Sequence, residues 1–274
     1  MTRTQGKAAP VPWSRQRLLT VLVATSVLVL VAFGVAGYYS LRVVFDHGAS
    51  AVVVSTTAHG QARRDAIAAA PMLSVGPEAM YPATPTAAVA PRFAIPPSRA
   101  VGPDSVATGF PRTPAGAVAQ LGAIGTRVFS TMSMQVVTAI YRDWAMPGGV
   151  GAAAWPLTDD VEQFLSGAQA SSTMPAGVTI SAIPSGVVVK GTDGPDWVLA
   201  CALWQISETG GQPVELGYGY CERMQWVPNP GSAGGRWEIA PGKLAAPAPD
   251  TWPGTAIAAQ AGWKAWDAPV GGSQ

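Results

Sequence analysis

Apolar residues follow three rhythms along this chain, and each predicts a different kind of structure. From Leu18 to Tyr39 the run LLTVLVATSVLVLVAFGVAGYY is almost wholly apolar, and no charge lies between Arg17 and Arg42. At about 1.5 Å per residue such a helix crosses a hydrocarbon layer of ~30 Å. Arg3, Lys7, Arg15 and Arg17 precede it without an acid, so residues 1–17 read as a cytoplasmic basic tail and 18–39 as a single transmembrane helix. A cleaved signal peptide ending near Val35-Ala36-Gly37 is the competing reading, and either one exports the rest of the chain.

The second rhythm is an absence of one. Nine prolines lie from Pro71 to Pro111 among Ala, Thr and Val, with neither helical nor alternating period. Proline fixes φ and holds the preceding residue extended, so 40–109 is expected to be a stalk and semi-stiff spacer. Within it, 43–70 stays open between a short strand and helix and a continuation of the stalk.

The third rhythm is periodic. Thr113 can cap a helix starting at Pro114, with Val118, Leu121, Ile124 and Val128 on one stripe. Ser130 is read as the cap of a second helix bearing Met134, Val137, Tyr141 and Trp144, and a third starts at Thr158, with Asp159 and Asp160 in its first turn. Five strand patterns follow: Val178–Ile183, Gly186–Lys190, Trp197–Ser207, Val214–Val227 and Arg236–Ala240. The third is apolar on both alternating sets, as a central strand covered on both faces requires. The fourth alternates Leu216, Tyr218, Tyr220 and Met224 with Glu215, Arg223 and Gln225, which predicts one wet face. The fold class is therefore α+β, with about three helices packed on a curved antiparallel sheet over 110–244. Residues 245–274 form a Pro/Ala-rich tail with a weak helix pattern at Thr255–Trp266.

A turn near Glu208–Gly211 sets Cys201 beside Cys221 on adjacent strands, which predicts one disulfide in an exported domain. Two buried free thiols are the alternative. Simple alternation puts Cys221 on the face of Glu215 and Arg223, so a bulge near Gly217 or Gly219 is expected to bring the sulfurs together.

Only 12% of residues are charged and the net charge is +1, which supplies no field for sequence-specific nucleic-acid binding. The two histidines, His47 and His59, lie in the stalk, so neither a metal site nor a cofactor site is expected. No nucleophile elbow, phosphate loop or acid–base constellation is present, and no catalytic residue is assigned. Gly217-Tyr218-Gly219-Tyr220 lies in a strand and reads as structural. Of ten tryptophans, Trp252, Trp263 and Trp266 stand in the sparse tail, either as interface residues or as anchors that fold the tail back.

Basic tail, single span, Pro-rich stalk and a helix-then-sheet domain together resemble the bitopic scaffold subunits of type IV secretion and conjugation machines. The exported domains of those subunits are similar in fold to nuclear transport factor 2. Gly109-Phe110-Pro111-Arg112-Thr113-Pro114, Trp197-Val198-Leu199-Ala200-Cys201, Gly217-Tyr218-Gly219-Tyr220-Cys221 and Trp252-Pro253-Gly254-Thr255 resemble membrane proteins carried by conjugative elements of high-GC Gram-positive bacteria. The resemblance implies a non-catalytic subunit of a cell-envelope translocation complex, with the membrane, other subunits and copies of itself as partners. Two alternatives stay open: a small-ligand-binding protein or enzyme with a cone-like pocket, where Asp143 or Glu222 would be the acid, and an envelope or lipid-transport accessory protein.

Overall fold

Pro114 opens the longest helix of the domain, where its missing N–H costs nothing, and the Thr113 side chain accepts from the Gly116 N–H at 3.1 Å. The computed structural model describes residues 60–87, 90–211, 213–229 and 234–269. The run 18–39, His47, His59 and Val52-Val53-Val54 lie outside the described residues. Among the described residues no helix is long and apolar enough to cross a membrane.

The α-helices are α1 (Gln61–Ala69), α2 (Pro114–Thr131), α3 (Met134–Trp144), α4 (Pro156–Gly167) and the short α5 (Ala256–Gln260). The strands are β1 (Arg92–Ala94), β2 (Ala100–Val101), β3 (Ala107–Thr108), β4 (Thr179–Thr192), β5 (Trp197–Thr209), β6 (Val214–Pro228), β7 (Gly235–Ile239) and β8 (Lys264–Asp267). Six of them form one curved sheet in the order β1-β8-β4-β5-β6-β7, antiparallel except for β1 beside β8, and β2 and β3 form a separate hairpin.

Several boundaries differ from expectation for local reasons. Ser130 does not cap α3: it lies inside α2, its hydroxyl donating back to the Thr126 carbonyl at 2.6 Å, and Ser133 caps α3 instead. Burial of Val128 and Phe129 carries α2 through that extra turn. Proline at the first helical position starts α4 at Pro156 rather than at Thr158. The predicted C-terminal helix stops at Gln260. Gly262 turns the chain at φ 88° and residues 264–267 become a strand seated between β1 and β4.

The Pro-rich segment differs most. Where it is described it is part of the fold and not a spacer. β1 extends the main sheet, Thr108 donates to Gln120 Oε1 at 2.8 Å, and Gln120 donates to the Ala107 carbonyl at 3.0 Å. Ile95, Val106 and Phe110 are buried in the main core. Isolated apolar residues between prolines anchor the strap one by one, which produces no period.

The three longest helices lie on one side of the sheet. Val198, Ala200, Ala202, Trp204 and Ile206 of β5 and Tyr220 and Met224 of β6 pack beneath α2, α3 and α4. On the other face Trp197, Leu199, Cys201 and Leu203 are covered by α1 and by residues 245–263, as a central strand demands. On the matching face of β6 Glu215 is exposed as expected, whereas Gly217, Gly219, Cys221 and Arg223 are covered, Arg223 with 2% exposure.

Candidate functional site

Cys201 and Cys221 form a disulfide directly across β5 and β6. The register runs without a shift from Trp197↔Gln225 to Glu208↔Val214, so the bulge expected near Gly217 or Gly219 is absent. The irregularities fall in β4 instead, at Pro184/Gly186 and Val189/Gly191. The two glycines have a different use. A Cβ at Gly217 would overlap the Thr251 carbonyl, and one at Gly219 would press on the Pro249 carbonyl, so both let the backbone of 249–252 lie on the sheet. Asp250 Oδ1 then accepts from the Gly219 N–H at 2.8 Å. Gly217→Val is expected to unseat this segment and cost about 1–3 kcal/mol. The readout is protease cleavage within 245–263, and a variant as resistant as the wild type contradicts this packing.

Arg223 is the polar centre of that outer face. Its Nη2 pairs with Asp65 of α1 at 2.8 Å, its Nε donates to the Lys243 carbonyl at 2.7 Å, and its guanidinium lies 6.0 Å from the Trp197 ring centroid. Arg64, one residue before Asp65, pairs with Asp193 at 2.7 Å and lies over the other part of the same indole environment, 5.7 Å from its centroid. Helix α1 is thus tied to β4, β5 and β6 by charge as well as by Ile67 and Ala68. Sequence reasoning missed this because Asp65 sits in the stretch whose structure was left open.

The three tail tryptophans are not brought together. Trp263 is buried on the outer face, its Nε1 donating to the Pro249 carbonyl at 3.3 Å. Trp252 is half-buried, its backbone N–H donating to the Ala79 carbonyl at 2.6 Å. Trp266 is half-buried against α2, where a Cβ on Gly122 would overlap its ring.

Of the two acids considered for chemistry, Asp143 is held by Arg142 at 2.7 Å, which lowers its pKa. Glu222 is buried beneath the helices. Its carboxylate accepts from Trp155 Nε1 at 2.9 Å, from the Tyr220 hydroxyl and from the Arg223 N–H at 3.0 Å. Burial pushes its carboxyl above the ordinary range, against the lowering by those hydrogen bonds and by the nearby Arg223 charge. The adjoining crevice is about 10 Å³, room for one water. Trp144, Trp155, Trp197, Trp204 and Trp237 are all fully buried around the two faces of the sheet, so Glu222 faces no space the size of a substrate.

A raised carboxyl has a defined effect on stability. The folded chain holds the Glu222 proton more tightly than the unfolded chain, whose ordinary value is 4.5. Its contribution is full below that value and is lost as pH rises through the folded one. The stability of the wild type minus that of Glu222→Gln is expected to fall as pH rises above 4.5, measured by thermal melting. A difference that is flat or rises with pH contradicts the assignment.

A large opening lies elsewhere, between α2 and the strap of residues 95–110, with a volume of about 600 Å³. Trp266 forms part of its floor, and Arg99 and Arg127 are its charged lining residues. Neither stood out in the sequence, since a strap residue and a helix residue share no period.

Compared with known protein families, with curated proteins and with solved structures, the chain matches none.

Proposed function

We propose that the chain is a non-catalytic, membrane-anchored structural subunit of a cell-envelope translocation complex of the conjugative DNA-transfer or type IV secretion kind. The observation that carries this reading is the filled interior. The space between the helices and the curved sheet, where a cone-shaped domain would hold a ligand, is occupied by tryptophan, and its buried acid is saturated with hydrogen bonds. What the domain offers is surface.

Two features support placing that surface outside the membrane. The disulfide suits an oxidising compartment, and the apolar run 18–39 with its basic flank orients the chain outward. Within the domain, Arg64–Asp193 and Asp65–Arg223 hold α1 to the outer face of the sheet. Deleting the gene in its host is expected to abolish DNA transfer, with recovery on return of the full chain but not of a version lacking 18–39. Transfer unchanged by the deletion contradicts the proposal.

A further inference from the structure

The cleft between α2 and the strap, at about 600 Å³, falls within the ~300–1,000 Å³ usual for ligand sites, and its lining sorts by exposure. Ser98, Arg99 and Ser105 of the strap and Ser130 of α2 are exposed, so they belong to the rim and stay in water. Below the rim the lining is largely apolar, with Ile95 and Phe110 from the strap, Ala119, Gly122 and Ala123 from α2, and Trp266 from β8. Two polar lining residues lie among them, and both are already engaged. Thr126 Oγ1 accepts from Trp204 Nε1 at 3.2 Å, and Arg127 Nε donates to the Asp104 carbonyl at 2.8 Å. The Arg127 charge also stabilises the Asp104 carboxylate, so it is compensated within the wall. An alkyl guest therefore covers apolar surface and leaves the hydroxyls of the rim hydrated.

Length and direction narrow the guest further. Ala119, Gly122, Ala123, Thr126, Arg127 and Ser130 recur at helical spacing and form one face of α2, about 16 Å long at ~1.5 Å per residue. That is close to half of the ~30 Å hydrocarbon layer of a bilayer, the depth that one lipid chain spans. The strap runs beside α2 in the opposite direction, since Ala107 and Thr108 bond Gln120 whereas Asp104 bonds Arg127. Phe110 and the small residues of α2 thus share one end of the cleft, and Ser105, Arg127 and Ser130 share the other. One apolar end and one polar end, a chain length apart, match an amphiphile with a single tail.

We infer that this cleft holds one acyl chain of an amphiphile, its alkyl part along Ala119, Gly122, Ala123 and Trp266 and its polar head at the end bearing Ser105, Arg127 and Ser130. The inference goes beyond the assembly reading above and does not depend on it.

The test uses the full chain in phosphatidylcholine vesicles. These contain either a phosphatidylcholine or hexadecanoic acid with a photoreactive diazirine at the end of its chain, and labelled peptides are located by mass spectrometry. Label is expected within 95–110 and 119–130. Ala123→Trp, which fills the cleft, and Ala123→Asp, which adds a charge at nearly constant volume, are each expected to lower that label at least about tenfold. Thermal melting establishes that each variant is folded, and Ala123→Asp carries the comparison if the larger side chain unfolds the domain. Label in the cleft from the phosphatidylcholine probe assigns the chain to the bilayer, and label from hexadecanoic acid alone assigns it to a free fatty acid; either result supports the site. A wild type labelled in the cleft by neither probe overturns the inference. So does cleft label that both folded variants keep, which would mean a surface lying on the vesicle and no chain inside. Cleft label without label in 18–39 keeps the site and counts against the membrane span.

Discussion

Trp204→Ala is expected to destabilise the domain by about 3–5 kcal/mol, the range for emptying a fully buried aromatic site. Trp204 sits in the middle of β5 with no exposure. Its ring lies on α2 where a Cβ at Gly125 would overlap it, so the glycine lets helix and sheet approach closely at this side chain. Phe129 meets the ring edge-on at 5.4 Å between centroids, and Nε1 donates to Thr126 Oγ1 at 3.2 Å. No neighbour can refill the space, because the facing helix surface is glycine and cannot extend toward the sheet. For a domain of this size the loss corresponds to a fall in melting temperature of roughly 6–20 °C, read by far-UV circular dichroism. A cost below about 1 kcal/mol would mean that α2 and the sheet are joined by other contacts.

Removing the disulfide has the next largest effect. The bond joins residues 20 apart in the chain, and closing a loop of that length in the unfolded state is worth about 3 kcal/mol. Cys201→Ala/Cys221→Ala is expected to melt roughly 6–12 °C lower than the wild type. Adding a reductant should lower the wild type by the same amount and leave the double variant unmoved. A wild-type melting point indifferent to reductant contradicts the bridge as a stabilising element.

How far the sequence could be read depended on whether a residue's partner was near in the chain. Thr113-Pro114 announces the start of α2 because a cap and its helix are adjacent, and Cys201 and Cys221 announce the β5–β6 register because one turn lies between them. The dry part of that β6 face was not legible in Arg223. It becomes dry only because α1 supplies Asp65 from one end of the domain and residues 245–263 arrive from the other. Gly217 and Gly219 carried the only local trace of that cover: they are bare where another backbone must touch. The strap was misread for the same reason, since Ile95, Val106 and Phe110 are buried in the main core and share no repeat. Of the Glu222 cluster, Tyr220 stands two residues away on the same strand face and was legible, whereas Trp155 had to be brought in by the fold.

These particulars bear on function through what they leave exposed. The interior is closed by tryptophan and the outer sheet face by α1 and residues 245–263. The strap, α2 and Trp266 enclose the cleft lined by Arg99 and Arg127. Assembly with other proteins is the central claim. It is tested most directly by cross-linking tagged full-length protein in its native membrane and identifying what co-purifies. The account predicts recovery of other subunits of a translocation machine, with the cross-links mapping to the extracytoplasmic domain. Recovery of the protein alone, from membranes in which such a machine is present and active, would contradict it.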